Sequence, residues 1–401
     1  MNNPKVVQIN TTCNWDAPGR IAEQIGLTAK KHGWDVYYVH GARFVRESQL
    51  KTIQTQSVNA EKIHYAWNSL LMGEQGLGSK NATLRLVELL KEIKPDVVHM
   101  HNIHGYYLNY PILFQYLKEA DIPVVWTLHD CWSFTGHCVY FDMVDCDKWK
   151  IGCHHCPQIK DYPKSLFFDK STSEYKRKKK FFGALDKLVM VPVSDWLGGL
   201  VKDSFLGSKP IKVIHNGIDI TVFKPTPSEK TDEKFRILGV ASGWDNRKGV
   251  PDFIRLREML GDDYDITMVG LSEKDAKPVP DTIHKMGRTA NLAELVSLYS
   301  NADVYVNATY SDNFPTTNLE ALACGTPVIT YQTGGSPEAV DENTGVVVPY
   351  RNIEALVEAI KEMRKHPLSS DDCRKRAEEC FDKDKCFEEY VEVYEELLNG
   401  K

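Results

Sequence analysis

No stretch of this sequence approaches the roughly 20 consecutive apolar side chains that a membrane-spanning helix requires. Positive charge is not in excess either. Lys and Arg number 49 against 55 Asp and Glu, a formal net charge of −6. A chain of that balance lacks the cationic surface that general nucleic-acid binding needs to neutralise phosphates, so no nucleic-acid partner is expected. The opening MNNPKVVQIN has neither the basic start nor the apolar core of a secretory signal and leads straight into a strand pattern, so a cytoplasmic location is expected. No short-period repeat is visible. Cysteine is sparse outside one place: of ten in the chain, Cys131, Cys138, Cys146, Cys153 and Cys156 crowd into a single segment. In a reducing compartment such a cluster reads as a metal site before it reads as a disulfide framework.

What is present is alternation. KVVQIN, DVYYVHG, KPDVVHMHN, IPVVWTLHD and KLVMVPVS are strand-like, and RIAEQIGLTAKKHG and YPILFQYLKEA between them have helical spacing. The second half repeats the scheme with FRILGVAS, DITMVGL, TIHKMGR, ADVYVNATY, TPVITYQTG and GVVVP as strands. Strands separated by helices make parallel βαβ units. The expected fold class is α/β, with two Rossmann-like, doubly wound parallel sheets facing a central cleft. A chain of 401 residues exceeds one ordinary core, and a Pro- and charge-rich run ends the segment IKVIHNGIDITVFKPTPSEKTDEK. The expected domains are 1–208, carrying a Cys-rich insert at 131–158, and 209–384, with 385–401 crossing back as a helix onto the first. In such sheets ligands sit beyond the carboxyl ends of the strands.

One such strand end is followed by SDNFPTTNLEALACGTPV, in which seven residues lie between Asp312 and Glu320. The helix starting near Asn318 offers backbone N–H groups and a partial positive charge, which suit a phosphate. A carboxylate beside it suits the vicinal hydroxyls of a sugar joined to that phosphate. A structural reading stands next to this one: Thr317-x-x-Glu320 fits a capping box, and Asp312 fits a turn.

The stretch SDNFPTTNLEALACGTPVITYQTGGSPE resembles the signature of the retaining nucleotide-sugar glycosyltransferases of family 4, which have the two-domain GT-B fold. The resemblance implies that Asp312 and the loop Asn313, Phe314, Pro315 and Thr316 hold the donor sugar, and that Glu320 binds the nucleotide ribose. The first acid of the family pattern is usually Glu, one methylene longer than Asp312. VIHNGIDITVFKP is similar to the family's hinge stretch. SGWDNRKG resembles the loop in which a lysine, here Lys248, grips the diphosphate. A second cation usual in the family falls at Ser242, and the neighbouring Arg247 is the candidate to replace it.

In the first half, WDAPGRIAEQ places Gly19 in the loop before a helix, where the family lines the cleft, with Arg20 beside it. His99, His101 and His104 follow PDVV. A His-x-His pair invites a metal, while a strand-end histidine hydrogen-bonded in the core is the structural alternative. His129 ends VVWTLHD, where family members similarly carry a histidine that reaches the sugar. The resemblance implies front-face attack, in which the leaving diphosphate takes the acceptor proton and no cofactor is required. Lys248, Arg247 and the helix end then stabilise the growing charge.

Cys153-x-x-Cys156 has the spacing of a metal knuckle, and Cys138 and Cys146 complete a four-thiolate set for structural zinc, with Cys131, His154 and His155 as substitutes. Reduced cysteines round an apolar loop are the alternative. YKRKKKFF, residues 175–182, sets five cations beside aromatics, either as a solvated face or as a peripheral contact with anionic lipid. The expected partners are a nucleoside diphosphate-sugar donor and a glycan or lipid-linked glycan acceptor. Two alternatives stand beside this: a nucleotide-sugar epimerase of the same fold, and a non-catalytic, zinc-stapled binding module.

Overall fold

The computed structural model describes residues 3–227 and 233–400. Residues 228–232 of the Pro- and charge-rich run lie outside the described residues. The chain divides into two units: residues 1–215 with 387–401, and residues 216–386.

The sheet of the first unit contains β1 (Lys5–Asn10), β2 (Asp35–His40), β3 (Lys51–Gln54), β4 (Val97–Met100), β5 (Val124–Leu128) and β6 (Leu188–Pro192), in the order β3-β2-β1-β4-β5-β6. That of the second contains β7 (Phe235–Val240), β8 (Tyr264–Val269), β9 (His284–Met286), β10 (Val304–Asn307), β11 (Val328–Tyr331) and β12 (Gly345–Val348), in the order β12-β11-β10-β7-β8-β9. All ten pairings between these strands are parallel. Each sheet therefore reverses direction once, between β1 and β4 and between β7 and β10. Loops after those strands are where a doubly wound sheet places its ligand.

The central strands are buried along their whole length, as VVHM, VVWTL and VYVN require when helices cover both faces. β3 is an exposed edge with sequence KTIQ and no apolar alternation. Side-chain caps from Ser194, Asn291 and Asn352 start three of the helices. Gly33, at φ +84°, lies two residues beyond the helix Asp16–Lys31.

The last helix, Lys383–Leu398, passes from the second unit into the first at Phe387. There it docks on the first sheet through polar as well as apolar contacts. The Tyr394 hydroxyl lies 2.6 Å from His99 Nδ1, and Tyr390 lies 3.3 Å from the Thr127 hydroxyl. Trp34 packs edge-on against Tyr394.

Candidate functional site

In the second unit the two strand-end loops at the reversal point meet. After β7 the chain makes a short turn, Asn246–Lys248, capped by the Asp245 carboxylate. Gly249 follows at φ +76°; a Cβ there would sit 2.1 Å from the Ala308 carbonyl oxygen, so only glycine lets this turn approach the loop after β10. Backbone bonds tie the two loops together: Tyr310 N–H donates to the Arg247 carbonyl at 2.7 Å. Arg247 Nη1 donates to the Ser311 carbonyl at 2.7 Å.

Asp312 lies between the two cations, with Oδ2 2.5 Å from Lys248 Nζ and 3.7 Å from Arg247 Nη1. Side-chain exposures of 13% for Asp312 and 21% for Lys248 make this a largely buried pair. Burial alone would raise the Asp312 carboxyl, but the charges of Lys248 and Arg247 outweigh it and hold the group below the usual carboxylate range. Asn313 N–H donates to its Oδ1 at 2.9 Å. The loop after β11 closes over the same place, with Gly334 packed on the Asp312 backbone.

The helix that follows runs Thr316–Ala323 with Pro315 at its N-cap and no side-chain cap. Its first N–H groups are therefore left for a ligand or water. The capping box of the sequence reading does not form, because Thr317 is inside the helix and Glu320 points elsewhere. The Glu320 carboxylate accepts from the Tyr299 hydroxyl at 3.0 Å. Phe314 is buried, its ring 5.8 Å from Phe381, and its carbonyl accepts from Asn216 Nδ2 at 3.1 Å. Only the backbone of that residue can face a ligand. Asn318 locks the helix to neighbouring loops, accepting from Asn307 at 2.8 Å and donating to the Ser336 hydroxyl at 3.0 Å.

In the first unit the ends of β4 and β5 bring His101, His104, His129 and Asp130 together. His101 Nδ1 is 3.2 Å from His129 Nε2, and the rings stack. His104 Nε2 is 2.7 Å from Asp130 Oδ2, with the Tyr162 hydroxyl 3.3 Å from its other nitrogen. Burial pushes His129 down to about 4, against the pull of Asp130, so its imidazole is neutral at physiological pH. A small cavity of about 10 Å³ lies among His101, His104, His129, Trp132 and Ser133. His99 is not among them. Both its nitrogens are satisfied by hydroxyls, of Tyr394 and of Thr127 at 2.7 Å, which is the core role and not a metal site.

Two expectations are corrected. Gly19 is not in a loop: the helix already begins at Asp16, and Gly19 is buried in its first turn, where a Cβ would meet Thr12 Oγ1 at 2.6 Å. Arg20 is exposed. The basic run is a solvated face only in part: Lys176, Lys179 and Lys180 are exposed, but the other two cations are not. Lys178 is fully buried, donating to the carbonyls of Trp132 and Thr135, and Arg177 pairs with the buried Glu174 at 2.5 Å. Tyr299 and Asn318 were missed; no spacing in the chain links Tyr299 to Glu320.

The profile described as Glycosyltransferase Family 4 matches residues 19–222, just over half of the chain. The chain belongs to glycosyltransferase family 4. The remainder of this family 4 glycosyltransferase matches a second description, Glycosyl transferases group 1, over residues 224–380. It is 27% identical over 320 residues to WcaC of Escherichia coli (strain K12), which is named as a colanic acid biosynthesis glycosyl transferase, covering 76% of this chain and 77% of that protein. A D-inositol 3-phosphate glycosyltransferase of Mycobacteroides abscessus is 26% identical over 172 residues, covering 38% of this chain and 39% of its own.

Solved structures share its GT-B fold at low identity. Sucrose-phosphate synthase from Thermosynechococcus elongatus superposes with a TM-score of 0.72 at 17% identity over the whole of both chains. Anabaena HepE, in complex with UDP, gives 0.67 at 14% over 97% of this chain and 99% of that one. No described helix of the glycosyltransferase is long and apolar enough to cross a membrane.

Proposed function

We propose that this enzyme transfers a sugar from a nucleoside diphosphate donor, with retention at the anomeric carbon, to a hydroxyl of a glycan or lipid-linked glycan in surface-polysaccharide synthesis. The observation that carries the reading is the Lys248–Asp312–Arg247 cluster beside the uncapped start of the Thr316 helix. Cations and a helix N-terminus together suit a diphosphate, and a carboxylate held ionised next to them suits sugar hydroxyls. The ligands bound by the fold neighbour HepE, UDP and UDP-glucose, and the colanic acid biosynthesis for which the WcaC relative is named point the same way.

In this reading Lys248 and Arg247 stabilise charge growing on the departing diphosphate, which takes the acceptor proton as the glycosidic bond loosens. Asp312 orients the sugar, and its bond to Lys248 holds the ammonium in place before the donor arrives. Glu320, aimed by Tyr299, receives the ribose. His129, neutral and able both to donate and to accept, is the first unit's own candidate for a substrate hydroxyl.

A thermal-shift panel of uridine, guanosine, adenosine and cytidine diphosphates tests the donor site. One base at a hundredfold excess over its dissociation constant stabilises by about 2.7 kcal/mol, and Glu320→Ala abolishes that response. The variant's own baseline falls by about 1–3 kcal/mol, because the buried Tyr299 hydroxyl loses its acceptor, so shifts are read against each protein's unliganded melt. A flat panel, or an unchanged response in Glu320→Ala, contradicts the assignment. With the responding donor in hand, the anomeric configuration of the product read by NMR decides retention.

A lipid-linked acceptor implies a membrane contact, and the exposed apolar residues favour a different segment from the basic run. The helical stretch at residues 58–71 exposes Ile63 at 68% and Trp67 at 62%, and the loop beside it exposes Phe167 at 69%. The two segments are joined by a hydrogen bond from Leu166 N–H to the Leu70 carbonyl. Burying one such side chain in lipid contributes about 2 kcal/mol. The double variant Trp67→Ser/Phe167→Ser is therefore expected to lower the fraction floating with anionic vesicles by at least about tenfold. Equal flotation of variant and parent removes this contact from the proposal.

A further inference from the structure

The insert between β5 and β6 holds a second built site, independent of the donor reading. Four of its cysteines, Cys138 to Cys156, are spread along nineteen positions and separated by two short turns, Asp142–Val144 and Lys148–Lys150. Cys138, Cys146, Cys153 and Cys156 nevertheless line one cavity of about 20 Å³. That is room for about one water-sized sphere. None of the four is in a disulfide.

The walls around them are apolar and fixed. Trp149 is buried between Phe134 and Phe141, with ring centroids 5.2 and 5.1 Å away. The thiols of Cys138 and Cys156 lie close enough to interact. The Gly136 N–H donates to Cys153 Sγ at 3.1 Å, an N–H···S bond of the sort that supports a thiolate. Gly136 is itself required there, since a Cβ would meet the Ser171 carbonyl oxygen at 2.3 Å. The Asp169 carboxylate accepts from Cys156 N–H and Ser171 N–H, both at 2.8 Å, and so ties the knuckle to the helix Ser171–Phe182.

Beneath this lies the buried Lys178. Its ammonium is held by the Trp132 and Thr135 carbonyls at 2.7 and 3.1 Å and stacks over the Trp132 ring at 3.4 Å. A buried ammonium is costly unless anionic groups lie near it, and the buried Glu174 carboxylate interacts most strongly with this one, followed by Cys153, Cys138 and Asp130.

We propose that Cys138, Cys146, Cys153 and Cys156 bind one structural zinc ion. Four thiols release four protons to solvent as they ligate Zn²⁺, leaving a centre of charge −2. Cys131 is excluded: it is fully buried in the apolar core and does not line the cavity. His155 is exposed and lies outside the lining as well. His154 reaches the cavity edge, but its Nδ1 is bonded to the Gly152 carbonyl at 3.0 Å. Among the described residues no three of the four sulfurs fall within 4.8 Å of one another, so binding draws the two arms of the insert together.

The test uses the full chain, purified with reductant and without chelator. Elemental analysis is expected to find about one zinc per chain. Cobalt(II) exchanged into the site should show the sulfur-to-metal charge-transfer band and visible bands of a tetrahedral thiolate site. This readout needs no variant, so a misfolded mutant cannot obscure it. Cys131→Ser should keep the full metal content, while Cys153→Ser should lose metal or show a weaker thiolate band. Zinc below about a tenth of an equivalent together with no thiolate band on cobalt titration overturns the proposal. So does a Cys131→Ser chain that loses its metal while Cys146→Ser keeps it.

Discussion

Lys248→Ala is expected to lower kcat by about a hundred- to a thousandfold, the range seen when one preorganised donor to a developing anion is removed. The residue is not replaceable by its neighbour. Arg247 is committed to the Ser311 carbonyl at 2.7 Å and stands 3.7 Å from Asp312, whereas Lys248 is at 2.5 Å. Asp312 also loses its nearest counter-charge in a largely buried place, so the variant is expected to melt earlier. The kinetic loss is therefore measured per folded enzyme at saturating donor. The sign of the pH effect follows from the depressed Asp312 carboxyl. The pair's stabilisation is fully present above the ordinary carboxylate pKa of about 3.9 and is lost only as pH falls through the lower, folded value. Assays near neutrality therefore compare fully formed and fully absent pairs. A fall of less than about fivefold in kcat would mean that the diphosphate charge is met elsewhere.

Gly334→Ala should be the most damaging single-methyl change in the second unit. Gly334 has φ +54°, in the left-handed region, and its Cβ would fall 1.7 Å from the Asp312 carbonyl oxygen, with the Asp312 carbonyl carbon at 2.9 Å. The contact is with backbone, so no side chain can swing away. Either the loop after β11 lifts or the Asp312 loop is displaced. Left-handed strain and overpacking together cost at least about 3 kcal/mol. For a unit of this size, residues 216–386, that is a fall in Tm on the order of 6–12 °C. Gly261→Ala is the control, since nothing lies within 4 Å of its Cβ. Equal melts for the two variants would mean that the loops are not held as closely as described. Donor binding should weaken along with stability in Gly334→Ala, because the displaced residue carries the carboxylate proposed to hold the sugar.

Apolar patterning was enough to find eleven of the twelve strands, the central ones because a strand covered on both faces must be almost continuously hydrophobic. β3 escaped because an edge strand needs no such run: KTIQ has three exposed residues out of four. The acid pair and the NRKG turn were legible through their resemblance to a known signature. Their direct contact was not, since the two loops are 64 residues apart and meet only because β7 and β10 are neighbours. Tyr299 was invisible for the same reason. Lys178 misled for a different one: in a run of five cations every member reads as exposed, and nothing local says which one meets two carbonyls from the insert. Gly19 was misplaced by one turn, because Asp16, at φ +52°, starts the helix without an ordinary cap.

The final helix gives the chain an unusual order of assembly. His99, in the middle of the first sheet, finds its Tyr394 partner 295 residues later, and Thr127 finds Tyr390 after 263. A ribosome delivers residues in sequence, and a first domain generally folds while the next is being made. Here the leading sheet must wait. Until the whole of residues 216–386 and the helix beyond have emerged, the His99 and Thr127 side chains lie uncovered at its centre. Vectorial synthesis therefore leaves the first unit unfinished until the helix Lys383–Leu398 has been made.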